Sequence, residues 1–295
     1  MANDIRPESR GTSTNLSIFF KGHLKGQGWF RIFLGWFLLL MFIFPFYWVI
    51  VTSLNGSSQV MQYPPTFLPH WQWINYLRAW SEAPWVTYFA NTIFIASTTT
   101  LLALATSLLA GFSLGVLQFK TRNLWFAAIL SLLMIPQTVL LIPDYILMRD
   151  IGWLNTYWVQ IVPWGASVFG IFLLRQYMLS LPRELIEAAE LDGASRMKFL
   201  ARVAMPMVKP ALVVIGLYVF IGSWDSFLWP FIMTQSPSVQ PIEVGLASFL
   251  GTNGYDWTGL SAAVVFTTLP VMLLFLVAQR QFLEGAHAFG SGLKG

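Results

Sequence analysis

Apolar runs recur along this chain, separated by short polar stretches. A membrane-spanning helix needs about 20 mostly apolar residues. Runs of that kind cover 32–51, 86–116, 124–143, 155–174, 211–234 and 259–279. They predict an all-α polytopic membrane protein with six transmembrane helices. Asp225 is the one acid inside these runs. Pro45, Pro136, Pro163, Pro230 and Pro270 fall within them and predict kinks, since each proline removes a backbone donor. The first run is too long for a signal-peptide core and has no small-residue cleavage site after it, which predicts an uncleaved first span.

Charge gives this pattern a direction. Of the 17 Lys and Arg, only Arg78 and Arg149 fall between spans 1 and 2 or 3 and 4. The rest lie in the N-terminal segment, the 2–3 and 4–5 connections and the C-terminal end. The positive-inside rule then places both termini and the 4–5 connection in the cytoplasm. The predicted organisation is a cytoplasmic segment over 1–28, a six-helix domain over 29–283 and a cytoplasmic tail over 284–295. Only 10% of residues are charged, against about a quarter in a soluble domain. Lipid is therefore the main solvent. The net charge of +4 is spread over short loops, which argues for a membrane orientation signal and against nucleic acid.

Other chemistry is sparse. There is no cysteine, and His23, His70 and His287 are far apart, so thiolate catalysis and a His-rich metal site are not expected. No phosphate-cradling G-x-x-x-x-G-K-[ST] or dinucleotide Gly fingerprint occurs. Trp71, Trp73, Trp80, Trp85, Trp153, Trp158 and Trp257 gather near the outer interface, as an anchoring belt or as stacking surfaces. Asp144 and Asp150 beside Arg149 read most simply as an outer-loop ion pair. Thr98, Thr99 and Thr100 bond back to their own helix or line a cavity.

One insert, 180–207, departs from the apolar pattern. Ser180 and Pro182 suggest a helix start. Glu184, Glu187 and Glu190 share one face of the helix that follows, while Leu185, Ala188, Ala189 and Asp192 occupy another. Gly193 suits a left-handed helix end, and Ser195 can cap a second, basic helix carrying Arg196, Lys198 and Arg202. An acidic helix, a Gly and a basic helix on one membrane face suit a soluble partner.

The spacing of Glu187, Ala188, Ala189, Gly193, Val203, Met205 and Pro206 resembles the EAA signature of binding-protein-dependent ABC importer permeases. Val203 and Met205 stand where that pattern has Ile and Leu. Tyr88, Phe89, Asn91 and Thr92 are similar to the start of the second span in the carbohydrate branch. So are Met134 to Gln137 and Gly152 to Thr156 to its later segments. Trp224, Asp225 and Phe227 resemble its Trp-Asn-x-Phe element, with Asp225 in place of Asn. Gly292 to Gly295 is similar to its basic tail. The chain most resembles the smaller, six-span permease of maltose- and glycerol-phosphate-type importers.

The resemblance implies an ABC importer type I permease fold in a bacterial or archaeal inner membrane, and no enzymatic activity. It implies ATPase coupling through Glu187, Ala188, Ala189, Asp192, Gly193 and Pro206. It also implies a substrate pathway near Asp225, Trp224, Phe227 and Asn91. The implied partners are a second homologous permease, a cytoplasmic ATPase dimer that binds ATP and Mg, an external solute-binding protein, membrane lipid and a sugar-like solute. No cofactor is expected in this chain. Two other classes remain open at this point. An ion-coupled secondary carrier would be expected to show repeats and several intramembrane ionisable groups. A membrane-embedded enzyme would need clustered His, Asp or Glu.

Overall fold

The computed structural model describes residues 28–251 and 254–291, with side chains as far as Leu276. Most of the expected N-terminal segment and the last residues of the expected tail, Gly292 to Gly295, lie outside the described residues. The chain divides into two units, 1–49 and 50–295. In the first, the apolar helix α1 (Gly28–Ser53) begins, with Pro45 inside it and Phe44 stacked on Trp48 at 6.1 Å. Its aromatic and aliphatic side chains are mostly exposed, as suits a helix whose solvent is lipid.

The second unit is a helical bundle. It contains α2 (Ile74–Glu82), α3 (Trp85–Gly115), α4 (Arg122–Met134), α5 (Gln137–Asp150), α6 (Tyr157–Ile161) and α7 (Val168–Leu179). There follow α8 (Arg183–Leu191), α9 (Arg196–Met207), α10 (Lys209–Trp224), α11 (Leu228–Met233), α12 (Ile242–Leu246) and α13 (Trp257–Ser291). Strand pairing among the described residues is a two-residue hairpin rung, Leu250–Gly251 against Gly254–Tyr255.

Four stretches are long and apolar enough to cross a membrane, the third of them interrupted between α6 and α7: Gly28–Ser53, Trp85–Gly115, Tyr157–Leu179 and Trp257–Leu276. The other two expected spans are sharply bent. The third turns by 98° between α4 and α5. Ile135 there is extended, as a residue before proline must be, and Pro136 begins the new helix. The fifth is also shorter than its apolar run. A bend of 80° separates α9 from α10, and α10 ends at Trp224, ten residues before the run does. The apolar residues beyond it form the separate helix α11.

The centre of the bundle is α3, which packs along α7 and α10. At 31 residues it is about 46 Å long at 1.5 Å per residue. Small residues let α7 approach closely: a Cβ on Gly111 would sit 2.6 Å from Leu174 Cβ, and one on Gly115 2.7 Å from Met178 Cβ. Dispersion from such close contact holds membrane helices together where lipid removes the hydrophobic drive. The main core is built on this seam from Phe112, Leu174, Met178, Ala211 and Ile215.

Candidate functional site

The polar helix pair lies at the C-terminal end of α3. Pro182, not Ser180, precedes the first turn of α8; Ser180 instead closes α7, its hydroxyl donating to Tyr177 O at 2.8 Å. α8 ends in a complete left-handed cap. Gly193 has φ +67°, its N–H donates to Glu190 O at 3.1 Å, and the Ala194 N–H donates to Ala189 O at 2.9 Å. The Ser195 hydroxyl then accepts from the Lys198 N–H at 3.3 Å and starts α9.

The pair has two faces. Outward, Glu187, Ala188, Asp192, Gly193 and Pro206 are exposed, and Leu191 and Met197 stand 89% and 60% exposed beside them. Inward, Phe199, Leu200 and Ala204 are buried in the main core, where Ile186, Ala189 and Val203 also pack. Phe199 meets Phe112 of α3 at 6.3 Å. In α9 the stretch Leu200–Ala204 is a π-helical turn just ahead of Pro206, which has no N–H to continue regular pairing. The inner face of the pair is thus continuous with the packing of α3, α7 and α10.

At the opposite end of α3 the connection 235–249 is inserted into the bundle. The Asn91 amide donates to Ser238 O at 3.0 Å and Gln240 O at 2.8 Å, and its carbonyl accepts from the Tyr157 hydroxyl at 2.7 Å. The Ile242 N–H donates to Thr92 Oγ1 at 2.8 Å, and Gln160 Nε2 donates to Val239 O at 2.8 Å. Asn155 Oδ1 accepts from the Gln235 and Ser236 amides. Ile242 and Phe249 complete a second core with Trp85 and Tyr88. Trp85 is thus a core residue, 1% exposed with its indole donating to Ala79 O, and not part of an interfacial belt.

Below this inserted segment lies a cavity of about 440 Å³ between α3, the α4–α5 bend, the α6–α7 break and α10. Its polar wall includes Thr92, Thr99, Gln137, Gln160, Ser167, Ser223 and Ser226; its aromatic wall includes Trp164, Phe169, Tyr218 and Trp229. Thr99 lines it, whereas the Thr100 hydroxyl bonds back to Ala96 O.

The residues expected along a substrate pathway border this cavity without lining it. Asp225 is not deep in a continuous helix: it ends α10, its N–H donating to Ile221 O, and it is exposed between the lining residues Ser223 and Ser226. Trp224 is buried against Phe220, Phe227 stacks on Phe231, and Asn91 is consumed in holding the inserted segment. The sequence reading missed Glu243. Burial first, and then the neighbouring Asp225 charge, push its carboxyl up to about 7. Arg149 and Asp150 do pair, at 2.9 Å on the surface.

The sequence profile described as "Binding-protein-dependent transport system inner membrane component" matches residues 104–283, a stretch that includes the helix pair and most of the cavity wall. The chain belongs to this family. The permease is 32% identical to the arabinooligosaccharides transport system permease protein AraQ of Halalkalibacterium halodurans, over 88% of this chain and 94% of that one. It is 30% identical to the sulfoquinovosyl glycerol transport system permease protein SmoH of Agrobacterium fabrum, over 96% and 98%. A crystal structure of a bacterial ABC transporter that imports the acidic polysaccharide alginate contains a chain of the same fold. It superposes with a TM-score of 0.75 at 24% identity, covering 85% of this permease and 94% of that chain. The resemblance read from the EAA spacing is therefore upheld. The permease is an inner-membrane transport component and not an enzyme.

Proposed function

We propose that this permease forms one half of the translocation pathway of an ATP-driven, binding-protein-dependent importer for a sugar-like solute. A second homologous permease supplies the other half, an external binding protein delivers the solute, and a cytoplasmic ATPase dimer holds the ATP and Mg. The charge distribution supports an orientation in which both termini and the α8–α9 pair face that ATPase. Glu187, Ala188, Asp192, Gly193 and Pro206 form the coupling ridge, with Ala189 behind it against the core. The pathway runs past the break after α10, where Trp224, Asp225 and Phe227 lie, and Asn91 fixes its outer rim.

The observation that carries this reading is the double role of the helix pair. Its outer face is exposed, charged and small-residue-rich, while its inner face is part of the bundle core. Packed elements of this kind switch between discrete arrangements, so ATPase closure can be passed to the helices that line the cavity. Purification of the tagged permease in mild detergent should bring down an ATPase and a second permease. Gly193→Pro forces φ to about −65° where +67° is needed and removes the bond to Glu190 O. That variant should still insert in the membrane but lose the ATPase and ATP-dependent uptake. Recovery of the chain alone, with uptake that follows an ion gradient, would mean a secondary carrier instead.

A further inference from the structure

We infer that the cavity under the inserted segment is a binding site for an uncharged saccharide and rejects anionic ones. The inference deepens the importer reading and rests on it. Relatives of this permease serve both kinds of solute by name, an arabinooligosaccharide on one side and a sulfonated glycoside on the other. Family membership therefore leaves the charge class open, and the cavity wall decides it.

Among the described residues, none that lines the cavity is Lys, Arg, His, Asp or Glu. Its volume of about 440 Å³ lies within the ~300–1,000 Å³ of small-molecule pockets. An anion entering it would lose water and gain no cation, a cost that uncharged hydroxyls do not carry. Asp225, exposed between the lining residues Ser223 and Ser226, adds to that cost.

The wall offers what a polyhydroxylated ring needs. Trp164 and Trp229 meet edge to face at 5.4 Å, and Phe169 tilts against Tyr218 at 5.0 Å, giving flat apolar surfaces. Two polar side chains of the wall are unfinished. Thr99 is 1% exposed and Gln160 4% exposed, yet Thr99 Oγ1 and Gln160 Oε1 have no hydrogen-bond partner among the described residues. Buried polar atoms without partners are costly, and sites that hold them recover that cost when a ligand hydroxyl arrives. Thr99 can donate and accept; Gln160 Oε1 accepts, its amide already donating to Val239 O. Both atoms are sealed from the cavity, so a saccharide hydroxyl satisfies either after a small turn of the side chain.

The test uses the whole importer in proteoliposomes, with both permeases, the ATPase and the binding protein. The probes are hexose mono-, di- and trisaccharides, their C6-carboxylate counterparts and their 2-amino counterparts. ATP-dependent uptake of an uncharged member is expected. Thr99→Val should lower that uptake by roughly three- to tenfold, the scale of one lost hydrogen bond, and Gln160→Leu, which also removes the bond to Val239 O, by at least as much, in complexes that still assemble. Best uptake of a carboxylate or amino sugar would overturn the inference while leaving the importer reading intact. So would parent-level uptake in both variants, because selection would then lie wholly in the binding protein. No ATP-dependent uptake of any solute would sink the importer reading, and this inference with it.

Discussion

The α8–α9 pair and the inserted 235–249 segment sit at the two ends of α3 and are held in different ways. The pair gets its shape from its own residues. Its turn is closed by bonds spanning three to five positions: Gly193 to Glu190, Ala194 to Ala189 and Lys198 to Ser195. The inserted segment gets its shape from elsewhere in the chain. Its carbonyls and amides are met by Asn91, Thr92, Tyr157 and Gln160, some 80 to 150 positions away. The first can move as a rigid unit without losing its internal bonds. The second cannot shift without breaking buried ones. The contrast suits a lever at one end of the bundle and a fixed rim at the other.

This difference also decides what could be read from the sequence. A locally closed motif leaves its marks in order along the chain, so the acidic helix, Gly193, Ser195 and the basic helix were all legible. The unbroken spans were legible too, because length and apolarity suffice. The 235–257 segment carries Ser236, Pro237, Ser238, Gln240 and Pro241, which read as loop chemistry. Nothing local shows that Asn91 and Thr92 reach across to it. The end of α10 was missed for a related reason. No Pro or Gly lies between Trp224 and Leu228, so the apolar run hid the break. Pro136 did announce a kink, but its 98° angle depends on packing.

Ranked by their effect on stability, three substitutions sharpen the comparison. The largest is at the rim. Asn91→Leu leaves the partly buried Gln240 carbonyl unpaired, at a cost of ~1–3 kcal/mol, while the exposed Ser238 carbonyl keeps the Tyr157 hydroxyl. A loss on the order of 2 kcal/mol is expected, read as a lowered Tm of the purified permease in detergent. An unchanged Tm would mean that the inserted segment does not depend on these bonds.

Glu243 should give a smaller effect that depends on pH. Its folded value of about 7 lies above the ordinary 4.5, so the folded state holds this proton more tightly. The associated stability is complete below about 4.5 and is lost as pH rises through about 7. Glu243→Gln should match the parent Tm near pH 4.5 and exceed it above pH 7. Parallel Tm curves for the two proteins across that range would contradict the assignment.

The smallest effect on stability should accompany the largest effect on transport. Glu187 is exposed on α8 and makes none of the bonds that close the turn, so Glu187→Lys has little to destabilise. Surface charge changes of this kind are usually worth within ~0.5 kcal/mol. The same change reverses a charge in the middle of the proposed ridge, where a like-charged contact would disfavour a partner that accepts a carboxylate. The variant should keep the parent Tm and still bind the second permease, yet lose solute-stimulated ATPase activity and uptake. A variant that both melts early and fails to transport would place Glu187 in the fold, and one that transports normally would move the coupling surface away from α8. Retained stability with lost coupling is the outcome that separates a lever from a rim, because no substitution at Asn91 should produce it.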